Sequence, residues 1–515
     1  MIRGLLGLLG VTIAAVAAEF NAQVTAIALG DVSGGLGLSH DSATWFTTLY
    51  TATEVVGMAI SPWLLVTFTL RHHMLFVLLL NATSSALIPY CHDETALYML
   101  RMMQGFSGGL TIPLLMATAL RVLSPPIRLY GLAIYALTAT FTPALGPAMA
   151  GLWTDLVGWQ FVFLESLPIC AIAAVLVWYG ITQDAPDYGR IRGFDWRGFL
   201  LIAAGFGSLS VMLQQGDRLD WFDSPMICVL GMVAAVCIPM LLINEWFHPV
   251  PLMKLQLLGR RNLAFGAVTL LTFVVIGQSG SALPTDFLAQ VQHFRPEQSY
   301  TITAVIALAQ FAMLPLLAFV LDFRQVDARV VNFLGLALIL ASCIGCSFVN
   351  IRWQRDQFYV WQALQAIGQP MVVMSLLMLA TNAVKGPQEA PFASALVNTP
   401  RAIAEAAGTW LLQLIDRWRG HLHSERLVDQ IGRNRFRLIQ ANPLLPGHPP
   451  PLRPDGLPRA PGSLHAFAEQ VAQQTRILTL SDAYVVFACI TAALMLVVLI
   501  LPERTLPPRL QFAKK

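Results

Sequence analysis

The chain is short of charge. Asp, Glu, Lys and Arg make up 12% of its 515 residues, against about a quarter in soluble domains, and this excludes an ordinary water-soluble fold. The formal net charge is only +3, too small to suggest a nucleic-acid partner. Paired cysteines are lacking as well. The seven present are scattered, six of them in apolar runs. Cys343 and Cys346 form a C-x-x-C with no second pair and no nearby histidine, so they read as packing residues, not as a metal or redox site. There is no G-x-x-x-x-G-K-[ST], which argues against direct use of ATP. No embedded His/Ser/Asp constellation or metal-ligand cluster is visible, so neither an enzyme nor a cofactor is expected. The first apolar run, Leu5 to Leu29, is too long for the core of a signal peptide and lacks its cleavage site.

What the chain has instead is apolar length. It is 56% hydrophobic with a mean hydropathy of +0.63. A helix needs roughly 20 apolar residues to cross a bilayer. Runs of that kind are expected at 5–29, 43–66, 73–91, 96–121, 128–151, 159–180, 197–214, 224–246, 263–283, 299–321, 330–350, 357–381, 391–415 and 481–501. With the N terminus placed in the cytoplasm, the inside segments hold 17 Lys and Arg residues. The short outside loops hold Arg218, Arg295, Arg352 and Arg355. Retention of basic residues in the cytoplasm therefore favours fourteen spans with both termini inside.

The one long extramembrane piece is loop 416–480. It opens on the basic amphipathic stretch "RWRGHLHSERLVDQIGRNRFRLI". It passes through "NPLLPGHPPPLRPDGLPRAPGS", too rich in proline for a helix or a sheet. It returns to the membrane through a short helical run.

The spans are not uniformly apolar. Arg101 lies in the middle of "YMLRMMQGFSGG", where an arginine costs about 3 kcal/mol on insertion scales, so it must face protein or a water-filled cavity. It is either a fixed charge that controls a nearby carboxylate or a hub for hydrogen bonds to backbone carbonyls. Glu19 and Glu54 are the embedded carboxyls of the first two spans. Such a group can bind or release a proton as its surroundings change, and either is a candidate carrier unless solvated near an interface. Glu165 suits a structural hydrogen bond at least as well. Glu405 and Arg401, spaced i, i+4, suit a same-helix ion pair. Gln278, Gln310, Gln362, Gln365 and Gln369 supply uncharged polarity to the later spans. With Trp45, Met102, Met103, Phe141 and Trp361 they suggest an amphipathic cavity for hydrophobic ligands. An internal echo links Tyr98-x-x-Arg101-x-x-Gln104 in the fourth run to Tyr359-x-x-Gln362-x-x-Gln365 in the twelfth. This is the pattern expected of repeated halves, with spans seven and eight inserted between them.

Several stretches resemble motifs of the major facilitator superfamily. "LRMMQGFSGG" is similar to R-x-x-Q-G-x-x-x-G of its fourth helix, carried here by Arg101, Gln104, Gly105 and Gly109. "TPALGPAMAG" resembles the antiporter motif of the fifth helix, with Pro143, Gly146, Pro147 and Gly151 in the usual order. "GWQFVFLESLPI" resembles the opening of the sixth helix, "QEAPFASALVNTPRAIAEAAG" the thirteenth and "TLSDAYVVFACI" the start of the fourteenth. In this order the motifs resemble the fourteen-helix drug:proton antiporters of the EmrB/QacA type. Two departures stand out. Asn21 occupies the position aligned with an acidic residue of the first helix, with Glu19 two residues earlier. The loop after the second span, "PWLLVTFTLRHHM", keeps only the basic end of its motif, while "LDFRQVDAR" after the tenth span retains Asp322, Arg324, Asp327 and Arg329.

The resemblance implies an all-α major facilitator fold, two six-helix halves plus two inserted helices. The expected division is 1–180 for the first half, 181–262 for the linker and inserted pair, 263–501 for the second half with loop 416–480, and 502–515 for a cytoplasmic tail. It implies an exporter of lipophilic or cationic compounds that exchanges them for protons across a bacterial inner membrane. An HlyD-type periplasmic adaptor and an outer-membrane channel are implied partners. The expected coupling residues are Glu19, Glu54 and Arg101. Asn21, Gln104, Gln278, Gln310, Gln362 and Gln365 are expected at the cavity, and Pro143, Gly146, Pro147 and Gly151 form a hinge and seal. An uptake symporter of the same fold and a transport-inactive sensor or scaffold are the competing readings.

Overall fold

A computed structural model describes residues 2–123, 128–183, 185–323, 325–382, 384, 386, 389–433, 453, 457 and 461–500. Arg324, the proline-rich centre of the long loop apart from Arg453 and Leu457, and the tail 502–515 lie outside them.

The described chain is helical. The first half runs through α1 (Ile2–Ile27), α2 (Leu29–Leu36), α3 (His40–Phe68), α4 (Leu70–Leu87), α5 (Glu94–Val122), α6 (Arg128–Gly151), α7 (Phe161–Leu164) and α8 (Ser166–Gly180). An inserted pair follows, α9 (Trp196–Gln215) and α10 (Pro225–Phe247). The second half holds α11 (Arg261–Gly277), α12 (Ala282–Gln290), α13 (Pro296–Asp322), α14 (Ala328–Cys346), α15 (Arg355–Asn382), α16 (Ala390–Arg433) and α17 (Pro461–Leu499). Each of the fourteen expected spans meets a helix. Twelve helical segments among the described residues are long and apolar enough to cross a membrane. Helices α5 and α16 are not among them, and they carry Arg101 and Arg401.

Packing follows from the need to bury polar faces away from lipid. Within the first half α3 packs on α5, and α1 on α8. The halves meet where α6 lies along α13 and where α3 lies along α16. Helices α9 and α10 pack on each other, and α9 also touches α3 and α16. They sit outside the two halves, and α10 is mostly exposed to the lipid side.

The first helix of each half is interrupted. Helix α1 ends at Ile27 and α2 begins at Leu29, just before Gly30. In the second half the break between α11 and α12 spans Gln278-Ser279-Gly280-Ser281, where glycine freedom and serine side chains compete with the helical ladder. Helix α16 has 44 residues and α17 has 39. At 1.5 Å per residue α16 is about 66 Å long, roughly twice the hydrocarbon thickness. The flanks of loop 416–480 are therefore continuous extensions of two spans. Arg419 and His423 hold Asp482 across the pair at 2.6 and 2.5 Å.

Candidate functional site

Arg101 is 1% exposed in the middle of α5. One guanidinium nitrogen donates to Gln104 Oε1 at 2.5 Å, and the other donates to the Asn21 carbonyl on α1 at 3.1 Å. The cation lies 4.2 Å from the centre of the Tyr50 ring and 5.0 Å from that of Phe46, a favourable contact when desolvated. Gln104 passes the network on, donating to Ser85 Oγ at 2.7 Å, and the Asn21 amide donates to Asn81 Oδ1 at 3.0 Å. Arg101 forms no ion pair among the described residues. Here it ties α1, α3, α4 and α5 together, as a hub does.

The cationic partner of Glu19 is not Arg101. Arg401 of α16 donates to Glu19 Oε1 at 2.5 Å, with both side chains 2% exposed. The expected same-helix pair is also present: Arg401 Nε reaches Glu405 at 3.2 Å. Helix α16 thus brings one polar face to the first half. Ser394, Asn398, Arg401 and Glu405 recur at i, i+4, i+7 and i+11, the repeat of a single helix face. Ser394 Oγ donates to the Pro113 carbonyl at 2.8 Å, and the Tyr135 hydroxyl donates to Asn398 Oδ1. These contacts close the space between the halves on the side of the bundle where α1 begins. Glu54 is 3% exposed on α3 and has no hydrogen bond or ion pair among the described residues.

On the opposite side the halves separate around a cavity of about 450 Å³. Gln23 and Ile27 line it from α1, Pro143 and Pro147 from α6, Leu270 and Phe273 from α11, and Gln369 from α15. Gln278 and Ser281 line it from the break before α12, and Asp286 from α12 itself. Arg401 and Glu405 are also on its wall. Gly146 faces α1, where a Cβ would come within 3.2 Å of Ile27 and 3.3 Å of Gln23. Gly151 ends α6 at the start of a π-helix, Leu152–Val157.

The expected cavity residues divide. Gln278 lines the cavity. Gln310 lies behind it, accepting from Thr140 Oγ1 at 3.2 Å. Asn21 and Gln104 belong to the Arg101 network. Gln362 and Gln365 brace the break in the ninth span: Gln362 donates to the Gly280 carbonyl at 3.0 Å and Gln365 to Ser279 Oγ at 3.2 Å. Trp45, Met102, Met103, Phe141 and Trp361 are not on the wall. Phe141 packs edge-on against Phe311 at 4.9 Å, and Met103 is 39% exposed. Sequence reasoning missed Asp286 and the Glu19–Arg401 pair. The polar face of α16 was the available signal for the second.

In the loop after the second span, Thr69 takes φ 71° between α3 and α4. Arg71 stacks on the Trp178 ring at 3.8 Å. After α13, Asp327 instead caps α14 and holds Arg329 at 2.7 Å.

Two packed halves, interrupted first helices and a midplane polar seam around a central cavity define a membrane transporter. The sequence matches the Major Facilitator Superfamily over residues 11–409, and the chain belongs to that family. It is 28% identical over 408 residues to the colistin resistance protein EmrB of Acinetobacter baumannii, covering 78% of each chain. It is 25% identical over 427 residues to the multidrug export protein EmrB of Escherichia coli, covering 80% of each. It is 27% identical over 425 residues to the fatty acid resistance protein FarB of Neisseria gonorrhoeae, covering 79% of each. The fold is similar to that of the proton:xylose symporter XylE, with a TM-score of 0.52, 12% identity, and 98% and 97% of the two chains covered.

Proposed function

We propose that this transporter is a proton-coupled exporter of lipophilic or cationic compounds, working by alternating access across a bacterial inner membrane with both termini in the cytoplasm. The division into halves at 1–180 and 263–501, with 181–262 as linker and inserted pair, goes with this reading, as does the cytoplasmic tail 502–515. With that orientation the cavity faces outward, and the contacts of Ser394, Asn398 and Arg401 close the cytoplasmic side.

The observation that carries the coupling is the buried Glu19–Arg401 pair, 2.5 Å long, which joins the first helix of one half to α16 of the other. Protonation of Glu19 removes its charge and weakens the clasp between the halves. Arg401 then keeps Glu405, its partner on the same helix. Loss of the proton to the cytoplasm restores the pair. A substrate that competes for the carboxylates exchanges for the proton. One charge crossing 100 mV supplies about 2.3 kcal/mol to drive the cycle. Glu54, buried and without a hydrogen-bond or ion-pair partner among the described residues, is the second carboxylate for this role, and Arg101 the fixed charge of the first half. Pro143, Gly146, Pro147 and Gly151 make α6 bent and closely packed, suited to act as hinge and seal. The resistance and export roles named for the relatives favour export over uptake. The long extensions of α16 and α17 offer a surface for an HlyD-type adaptor and its outer-membrane channel.

Proton release from proteoliposomes on adding a panel of lipophilic compounds tests the reading. Wild type should release protons, and Glu19→Gln should abolish the flux, as should Arg101→Ala. Flux that survives in Glu19→Gln and fails in Glu54→Gln moves the coupling site to α3. A wild type that moves no protons with any compound removes the exporter reading in favour of the scaffold.

A further inference from the structure

A second, smaller cavity shares one lining residue with the central one. About 160 Å³ of space lies between α12 and the middle stretches of α16 and α17, lined by Gln290, Gln413, Asp416, Arg476 and Thr479 among others. Asp286 lines this space and the central cavity alike. Asp286 makes no hydrogen bond or ion pair among the described residues, unlike Glu19 and Glu405, which are held by Arg401.

The helix that carries Asp286 is held from both ends. Behind it, Gln362 and Gln365 brace the break before α12. Ahead of it, Arg476 of α17 donates to Gln290 at 2.5 Å, and Gln473 donates to the Val291 carbonyl at 2.9 Å. The carboxylate is thus mounted on a short, pinned helix and not on a loose loop. A second group in the central cavity asks for a donor. Gln369 is 7% exposed, lines that cavity and donates to Gln365 Oε1 at 3.2 Å. Its own carbonyl accepts no hydrogen bond among the described residues. In the smaller space Gln413 Oε1 is likewise buried without a partner. The cationic side chains on the two walls, Arg401 and Arg476, each have a protein acceptor, although Nη1 of Arg401 is buried without one among the described residues.

We propose that the two cavities form one route, and that Asp286 at their junction is the residue that selects ligands bearing a protonated amine. The apolar body of such a ligand lies against Leu270, Phe273 and Pro143. Its ammonium group faces Asp286, with the open carbonyls of Gln369 and Gln413 on either side of the junction. The proposal rests on the exporter reading of the same cavity and adds to it a charge preference and the residue that sets it.

The test is binding, not flux. The full chain in lipid nanodiscs is titrated with 1-adamantylamine, with 1-adamantanol, which has the same cage and no charge, and with 1-adamantanecarboxylate. A carboxylate facing an ammonium in a partly screened site makes the amine bind about tenfold more tightly than the alcohol. Asp286→Asn should bring the two to within about twofold of each other, while alcohol affinity stays at the wild-type value. Retained alcohol binding also shows that the variant is folded. Asp286→Glu should keep most of the preference. An amine preference unchanged in Asp286→Asn, or one lost only in Glu405→Gln, overturns the assignment of Asp286. A wild type that prefers the carboxylate overturns the charge preference, and one that binds no member of the series overturns the cavity as a lipophilic site. Absence of substrate-driven proton flux, by contrast, overturns the exporter reading and leaves a measured amine preference standing.

Discussion

Helices α5 and α15 hold matching places in the two halves and carry the same polar spacing, yet one has an arginine where the other has a glutamine. Arg101 donates to the Asn21 carbonyl of α1, and Gln362 donates to the Gly280 carbonyl between α11 and α12. In both halves the fourth helix therefore holds the backbone of the first. One turn on, Gln104 and Gln365 each reach a serine hydroxyl. The geometry of the brace is shared and the charge is not. The charge of the second half sits instead on α16, at Arg401, where it faces Glu19 across the interface. A bracing function needs only a long donor, which Gln supplies at lower desolvation cost than Arg. On the proposed reading the arginine of the first half adds a fixed charge that a neutral donor cannot supply.

The largest effect expected from breaking this arrangement is that of Arg401→Ala. It leaves Glu19 buried and unpaired, which costs about 3–5 kcal/mol. The melting temperature in nanodiscs should fall steeply, and low pH, by protonating Glu19, should recover part of the loss. An Arg401→Ala protein as stable as wild type would mean that the pair is not the clasp between the halves. Arg101→Gln comes next and makes α5 resemble α15. Glutamine can keep the bond to the Asn21 carbonyl, so stability should change by about 1 kcal/mol. Substrate-driven proton flux should drop at least about tenfold, equivalent to 1.4 kcal/mol or more on the barrier. Flux at the wild-type level would reduce Arg101 to a brace like Gln362.

The architecture was legible because the bilayer imposes it. A span must be long, apolar and helical; all fourteen expected runs fall on helix, and twelve helical segments among the described residues are long and apolar enough to cross a membrane. Arg101 was legible for the same reason, since a charge in such a run demands an explanation. The partner of Glu19 was not. It lies 382 positions away, and helical spacing orders residues on one helix without saying which other helix they meet. The i, i+4 pair of Arg401 and Glu405 exists as read, but it also masked the longer-range bond. Asp286 was missed for a local reason. The apolar run of the ninth span stops at 283, whereas the helix restarts at Ala282 after the Gly/Ser break and carries Asp286 into the cavity wall. The glutamines of α15 were read as lining because polar groups in a span suggest a cavity. Gln362 instead satisfies a backbone carbonyl that the break leaves without a helical partner, and Gln365 holds the Ser279 hydroxyl beside it.

That role gives Gln362→Leu a defined cost. The substitution leaves the buried Gly280 carbonyl without its donor, worth about 1–3 kcal/mol. Hydrogen exchange should quicken at Gln278–Ser281 and in α12 while α5 stays protected. Uniform quickening across both halves would show that the brace is not local to the ninth span.

The smallest effect separates the brace from the rest of the repeated pattern. Tyr359 opens the Tyr-x-x-Gln-x-x-Gln spacing of α15, and its hydroxyl donates to Thr301 Oγ1 at 3.0 Å on the neighbouring α13. The bond joins two helices of the same half, away from the break and the cavity wall. Tyr359→Phe keeps the ring packing and removes one half-buried hydroxyl bond, so the loss should be about 0.5–1.5 kcal/mol, with flux and amine binding unchanged. Gln362→Leu, one turn further along the same helix, should alter both through the position of α12. If Tyr359→Phe disturbed transport as much as Gln362→Leu does, the sensitivity would belong to α15 as a whole, and the correspondence between Arg101 and Gln362 as braces of the interrupted first helices would lose its physical basis.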